Sequence, residues 1–269
     1  MTHPIRVLIN GAAGKMGQEA VKALSQAPDL VIVGKTGRQD NLEKTLRDSQ
    51  AEVAVDLTSA ETVFKNAEII IAQGVHPVIG TSGLLGPQIN LLKKKCDQKK
   101  LGGIIVPNFS IGIVLMMLFA KQAAAYFPNC EIIEMHHAQK KDSPSGTAVK
   151  TAEFIDRKQN NITATETETI KGARGALHHH IPIHSIRLPG LVAHQEILFG
   201  GDHELLTLRH DTFHRAAYMP GILLAIREVI KLKQLVYGLE HVLKPLDCIL
   251  NPLDCFASLA TTARREREQ

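Results

Sequence analysis

The run Ile5–Asn10 (IRVLIN) is apolar and β-branched, and it breaks at once into Gly11-Ala12-Ala13-Gly14-Lys15-Met16-Gly17. A buried parallel strand reads this way, and a strand that ends in glycines before a helical pattern leaves few folds open. The glycines let the backbone turn sharply and approach a bound group closely. The helix that follows presents unpaired N–H groups and a positive dipole to an anion such as a pyrophosphate. The spacing is GxxGxxG rather than the commoner GxGxxG, and taken alone it also describes a close-packed strand-to-helix turn.

The same alternation continues. Met16 to about Ala27 has helical periodicity and stops at Pro28. Leu30–Val33, Val53–Leu57, Val75–Ile79 and Ile104–Val106 read as further strands, and Glu61–Gln73 and Gln88–Lys99 as helices. Strand and helix in turn predict an α/β, Rossmann-like doubly wound parallel sheet over residues 1–108. After Asn108 the rhythm changes. Ile111–Tyr126 reads as a buried helix, Glu131–His136 as a strand, Thr147–Arg157 as a helix and 160–175 as polar loop. Ile183–Leu188, Val192–Phe199 and Glu204–His210 follow without intervening helices, which predicts an antiparallel meander. Residues 109–217 therefore form a second, α+β domain with an open mixed or antiparallel sheet, suited to substrate binding and oligomerisation. Met219–Leu235 is helical again, so that about 218–243 packs back on the first domain. The tail, 244–269, repeats Pro-Leu-Asp-Cys in two units, too few for a solenoid, and no role is assigned to it.

Composition removes several classes of function. The net charge of +4 is too weak to argue for nucleic acid, and with no Trp and 4% aromatics a base-stacking surface is not expected. Ile111–Ala120 is too short to cross a bilayer, and the amino terminus carries no signal-peptide pattern. Cys96, Cys130, Cys248 and Cys255 are scattered without a CxxC pair, as in a reduced, cytoplasmic protein.

Three short segments add to the glycine turn. At the end of the second strand an NAD enzyme usually carries an Asp or Glu for the ribose 2′-hydroxyl. Here the segment reads Gly34-Lys35-Thr36-Gly37-Arg38, so that Lys35 and Arg38 are candidates for a 2′-phosphate, and NADPH is the expected preference with NADH possible. A solvated basic loop is the plainer alternative. Gly80-Thr81-Ser82-Gly83 ends the fourth strand, and Pro107-Asn108-Phe109-Ser110 follows the fifth. In an open α/β sheet that edge holds the ligand, so these small and polar groups are expected near the nicotinamide.

The most informative stretch is Glu134-Met-His136-His137-Ala-Gln-Lys140-Lys141-Asp142-Ser-Pro144-Ser145-Gly146-Thr147. Imidazole and ammonium groups donate protons when suitably placed. Ser145-Gly146-Thr147 opens a helix, where N–H groups and hydroxyls hold a carboxylate. Adjacent His136 and His137 point to opposite sides of a strand, which speaks against a shared metal. The run His178-His179-His180 with His184 lacks a carboxylate or Cys at ligand spacing, so no metal site is expected. Arg187 either clamps a second carboxylate or pairs within the sheet.

Taken together, and from Ile5 to about Leu243, these segments resemble the 4-hydroxy-tetrahydrodipicolinate reductase (dihydrodipicolinate reductase) family. The segment His136-His137-x-x-Lys140-x-Asp142-x-Pro144-Ser145-Gly146-Thr147 is that family's signature, and HSIRLPGLVAHQEILFGG supports it independently. The resemblance implies NAD(P)H-dependent reduction of a cyclic imine dicarboxylate in diaminopimelate and lysine biosynthesis. It implies His136 as catalytic acid and Lys140 as proton donor, with His137, Ser145, Gly146 and Thr147 holding the substrate's carboxylates. Gly11, Ala12, Ala13, Gly14, Lys15 and Met16 would take the pyrophosphate, and Gly37 and Arg38 the adenosine ribose. Gly80, Thr81, Ser82, Val106, Pro107, Asn108 and Phe109 would line the nicotinamide end, and the assembly would be a homotetramer. Two departures stand out: glycine at 37, where members often carry an acid, and Val114, where many carry asparagine. Another Rossmann dehydrogenase of amino-acid metabolism, or an NADP(H)-sensing protein without activity, is the alternative on the same scaffold.

Overall fold

The computed structural model describes residues 3–155 and 168–243. The apolar runs of the first half form strands β1 (Ile5–Asn10), β2 (Leu30–Thr36), β3 (Val53–Asp56), β4 (His76–Ile79) and β5 (Gly103–Ile105). They alternate with helices α1 (Lys15–Leu24), α2 (Leu42–Ser49), α3 (Val63–Ala72) and α4 (Gly86–Lys99). Val7, Leu8, Ile9, Val53, Val55 and Val78 are fully buried, as strands covered on both faces require. Helix α2, which the sequence reading passed over, buries only Leu42 and Leu46 and is capped by Asn41, whose side chain accepts the Lys44 N–H at 2.9 Å.

The second half contributes α5 (Ile111–Ala123), β6 (Asn129–His136), α6 (Gly146–Ile155), β7 (Ala176–His178), β8 (Ile181–Arg187), β9 (Ala193–Gly201) and β10 (Glu204–Thr212). The chain then returns through α7 (Met219–Val229) and β11 (Leu235–Tyr237). The first sheet has six parallel strands in the order β11-β5-β4-β3-β1-β2. From β1 the chain moves outward to β2 and then crosses to β3 on the other side, so the topological switch lies between β1 and β3. A crevice forms outside the carboxyl ends of strands at such a point.

The helical pattern read over Met219–Leu235 stops at Val229, and Leu235–Tyr237 becomes a sixth strand beside β5. The polar turn before it releases the chain, and three apolar residues suffice for an open sheet edge. The last three long runs are not a meander. The second sheet runs β10-β9-β6-β8-β7, with β6 parallel to β8 and antiparallel to β9. The connection 188–192 carries the chain over the end of β6, where Leu188 N–H donates to His136 O at 3.1 Å, instead of folding back as a hairpin.

Residues of β6 alternate faces. Cys130, Ile132, Glu134 and His136 point inward, with Cys130 and Ile132 packed under α5, while Glu131, Ile133 and Met135 point outward. The histidine run sits at the β7–β8 turn, where His179 and His180 take positive φ. Cys96 and Cys130 are buried, and burial pushes both thiols up to about 12, so they stay protonated. The repeated segment with Cys248 and Cys255 lies outside the described residues.

Helix α7 binds the end of the first domain to the start of the second. Its Gly221 sits so close that an added Cβ would lie 1.9 Å from the Phe109 carbonyl oxygen. Gly221→Ala is expected to destabilise the chain by about 1–3 kcal/mol, the usual cost of an added methyl in a closed contact. A urea unfolding midpoint equal to the parent's would show that α7 does not dock this closely.

Candidate active site

A cavity of about 350 Å³ opens at the switch point, lined by Gly11, Ala13, Gly14, Gly37, Arg38 and Asp40, among others. Gly11 has φ +86°, and a Cβ there would lie 2.4 Å from the Leu57 carbonyl oxygen. A Cβ on Gly17 would come within 2.1 Å of the Gly11 oxygen. At Gly11 and Gly17 the turn is therefore a backbone cradle with no room for a side chain. The first turn of α1 holds no acidic residue, and its Gly14 cap makes no side-chain hydrogen bond, so the N–H groups of Lys15 and Met16 face outward without acceptors. These features fit a dinucleotide pyrophosphate.

The ribose end differs from its sequence reading. Arg38 lines the cavity, whereas Lys35, exposed on β2, does not. An acid is present after all: Asp40 folds back, and its Oδ2 accepts the Gly37 N–H at 2.8 Å. The carboxylate expected within the strand end is supplied instead by the turn, three residues after Gly37.

A second cavity of about 450 Å³ lies between the domains. Ser82, Pro107 and Asn108 line it from the first domain and His136, Lys140, Asp142, Ser145, Gly146 and Thr147 from the second. Gly80 and Thr81 lie behind this wall. A Cβ on Gly80 would lie 2.4 Å from the Phe109 ring, and Thr81 hydrogen-bonds Asp56. Val106 and Phe109 are core residues, 1% and 4% exposed, and do not line the cavity. His137, one residue past β6, does not line it either, and its Nδ1 is buried without a partner. Asn108 joins the two halves, its Nδ2 donating to Thr147 Oγ1 at 3.2 Å. Val149, Lys150 and Tyr237 extend the wall beyond the signature, with the Lys150 ammonium 5.0 Å from the Phe154 ring centre and 5.6 Å from that of Tyr237.

Glu134 organises the second-domain wall. It is 0% exposed and accepts four hydrogen bonds that its oxygens can reach. Its Oε2 lies 2.5 Å from His136 Nδ1, the Arg187 guanidinium donates to both oxygens at 2.8 and 2.7 Å, and the Ser145 N–H reaches Oε1 at 3.1 Å. Arg187, left open between two readings, pairs within the sheet, and it also donates to the Asp142 carbonyl at 2.8 Å. Burial would raise the Glu134 carboxyl, but the His136 and Arg187 hydrogen bonds hold it at about 2. An ionised carboxylate only accepts, so His136 Nδ1 carries the hydrogen and Nε2 is the ring nitrogen left free of Glu134. The signal was present in the sequence: Glu-x-His on a strand places both side chains on one face.

Ser145 lines the cavity and also holds the helix start. Its N–H goes to Glu134 and its Oγ accepts the Ala148 N–H at 3.1 Å. The N–H groups of Gly146 and Thr147, first in α6, have no intrahelical acceptor, and no acid stands in that turn. Lys140 Nζ donates to Asp142 Oδ1 at 2.8 Å, and this hydrogen bond holds the Asp142 carboxyl below its usual range. Among the described residues no group of three or more His, Cys, Asp or Glu is placed to hold a metal ion, and no helix is long and apolar enough to cross a membrane.

A glycine cradle at a switch point, beside an interdomain cavity whose two walls Asn108 bridges, is the arrangement of a Rossmann-type pyridine-nucleotide oxidoreductase. Residues 5–109 match the family model for the dihydrodipicolinate reductase N-terminus and residues 112–243 that for its C-terminus. A 4-hydroxy-tetrahydrodipicolinate reductase of Coxiella burnetii is 53% identical over 240 residues, 89% of this chain and 99% of the relative. One from Legionella pneumophila is 52% identical over 88% of this chain and 99% of its own. Among solved structures, a dipicolinate-bound dihydrodipicolinate reductase from Paenisporosarcina sp. TG-14 superposes with a TM-score of 0.81 at 45% identity, over 89% of this chain and 100% of that one. An amine dehydrogenase from Mycobacterium smegmatis, at 11% identity and a TM-score of 0.62, shares the fold alone. The chain belongs to the dihydrodipicolinate reductase family.

The lowered Glu134 carboxyl makes stability depend on pH. Unfolded, the group titrates near its ordinary value of 4.5. Folded, it holds its charge down to about 2. Its contribution is present in full above pH 4.5 and is lost as the pH falls towards 2. Glu134→Gln is therefore expected to flatten the fall in unfolding free energy over this window by up to about 3 kcal/mol, at roughly 1.4 kcal/mol per unit. Denaturation midpoints across the acid range check this, and equal slopes for both proteins would contradict it.

Proposed function

We propose that the chain reduces 4-hydroxy-tetrahydrodipicolinate to tetrahydrodipicolinate in diaminopimelate and lysine biosynthesis, in the cytoplasm, with NADPH preferred and NADH accepted. The carrying observation is the shared cavity, in which the open N–H groups of Gly146 and Thr147, Lys140 and the Glu134-held His136 face the strand-edge turns of the nucleotide domain. The relative from Paenisporosarcina is a dipicolinate complex, and a flat dicarboxylate is what this wall suits.

In balance, substrate, one NAD(P)H and one proton yield tetrahydrodipicolinate, NAD(P)⁺ and water. The bound nucleotide supplies the hydride for ring carbon four. One substrate carboxylate sits on the Gly146 and Thr147 N–H groups, where the dipole of α6 favours negative charge. His137 and Ser145 flank that position, Ser145 by capping the helix. Lys140 faces the second polar end of the substrate and donates a proton as the hydroxyl leaves, while the neighbouring ring carbon gives up one C–H proton; that carbon takes a proton back when hydride is added, so the net uptake is one. His136, with Nδ1 fixed on Glu134, presents Nε2 to the ring carbon that is protonated, and stabilises the charge that develops there. Asn108 keeps the nicotinamide-side turn and the carboxylate-binding helix in register.

Arg38 offers a guanidinium to a 2′-phosphate, and Asp40 offers a carboxylate to a 2′-hydroxyl, which supports use of both nucleotides with NADPH ahead. The outward face of the second sheet and its rim expose Leu177, Leu188 and Leu205, at 70%, 53% and 66%, and this surface supports a homotetramer built on that sheet.

The test is a coupled assay in which dihydrodipicolinate synthase, pyruvate and aspartate semialdehyde generate the labile substrate, with nicotinamide absorbance followed. Substrate-dependent oxidation is expected with both nucleotides and faster with NADPH. No oxidation by a chain that binds NADPH would end this reading. His136→Ala and Lys140→Ala are each expected to lower turnover by roughly a hundredfold, the scale of a lost general acid. Arg38→Glu should move preference towards NADH and Asp40→Asn towards NADPH. The ratio of kcat/KM values reads both, and an unmoved ratio would remove these residues from the ribose end.

A further inference from the structure

Asp56 ends β3 at the switch point and is 0% exposed, yet every group bonded to it is neutral. A buried carboxylate without a cation is costly unless its oxygens are fully hydrogen-bonded. Here they are. Oδ2 accepts from Asn10 Nδ2 at 2.8 Å and Asn66 Nδ2 at 2.9 Å. Oδ1 accepts from Thr58 Oγ1 at 2.7 Å and Thr81 Oγ1 at 2.6 Å, with the Thr58 N–H at 3.3 Å. The network reaches further. Asn10 Oδ1 accepts the Thr36 hydroxyl at 2.9 Å, and Thr81 Oγ1 accepts the Thr58 N–H at 2.8 Å.

The donors come from the carboxyl ends of four neighbouring strands and from α3. Asn10 precedes the glycine cradle, and Thr36 precedes the ribose turn, its carbonyl taking the Gly11 and Ala12 N–H groups at 2.8 and 3.1 Å. Thr58 and Asn66 line the adenosine-side cavity, and Thr81 precedes Ser82 on the interdomain cavity. Asp56 itself lines neither.

We infer that Asp56 is a positioning residue for the pyridine nucleotide, its carboxylate holding the pyrophosphate and ribose turns in register with the nicotinamide-side turn. This rests on the proposed function, because it needs one extended ligand across both cavities. A core that merely required packing would fill this point with an apolar side chain. A fully bonded acid instead fixes the directions of five donors, and alignment at the reacting end is sensitive to displacements of about 1 Å.

Asp56→Asn keeps the shape but replaces an acceptor oxygen with a donor facing other donors. The expected result is a rise of about tenfold or more in the KM and Kd for NADPH, equivalent to one lost charge-assisted hydrogen bond. The dipicolinate inhibition constant at saturating NADPH should stay within about twofold of the parent's, with a cooperative unfolding transition retained. If the Asn variant does not fold, Thr81→Val, which removes one donor, should raise the NADPH KM in the same direction. Unchanged NADPH affinity in a folded variant, or NADPH and dipicolinate constants that worsen together, would overturn the inference. A parent chain that binds neither NADPH nor NADH would instead overturn the proposed function.

Discussion

The Glu134 carboxylate receives hydrogen bonds from β6, β8 and the start of α6, and the second-domain wall of the interdomain cavity depends on that convergence. Without it, Arg187 would stand as a half-buried cation at the sheet, the His136 ring would be free to turn, and the Ser145 N–H would lose its acceptor. Removing one partner of a buried ionic group costs far more than the pair contributes while intact, because the remaining charge is left uncompensated. The arrangement also selects the histidine tautomer, since an ionised carboxylate can only accept. One buried acid thereby fixes a strand pairing, a helix start and the tautomer of the His136 ring.

The nucleotide domain carries a counterpart of different character. Asp56 is as fully buried as Glu134, but it is surrounded by amides and hydroxyls rather than by a guanidinium and an imidazole. Each acid lies at or near the end of a strand, where the backbone ladder stops and loops begin, and each collects donors from segments far apart in sequence. Loops bearing a site are the least constrained parts of a fold. In this chain both sets of loops are tied to acids rooted in the sheets.

Much of the fold was legible because it rests on local pattern. β-Branched runs with glycine endings marked the parallel strands, and the Ser-Gly-Thr helix start, the Asn108 turn and the His136 to Thr147 segment marked the residues that meet at the interdomain cavity. The errors share one cause, which is that neighbours in the fold are not neighbours in the chain. The sequence offers three strand runs in succession, and nothing in their composition says that β6 slides between β8 and β9. The short run Leu235–Tyr237 continues a helical pattern until an open sheet edge claims it. Lys35 and Arg38 look equivalent in the sequence, but only Arg38 lines the cavity, and Asp40 reaches back to the ribose turn. Glu134 is the opposite case, since its i, i+2 relation to His136 was readable from strand periodicity alone.

The sequence by itself determined the class of each domain, the glycine cradle and the residue types of the candidate site, because periodicity, steric freedom at glycine and proton-donor chemistry are properties of short segments. Tertiary structure alone decided strand order, the partner of Arg187, the withdrawal of Val106 and Phe109 from the cavity surface, and the burial of Glu134 and Asp56. Those outcomes depend on which distant donors and surfaces meet in space, and a buried charge is tolerated only where such donors converge.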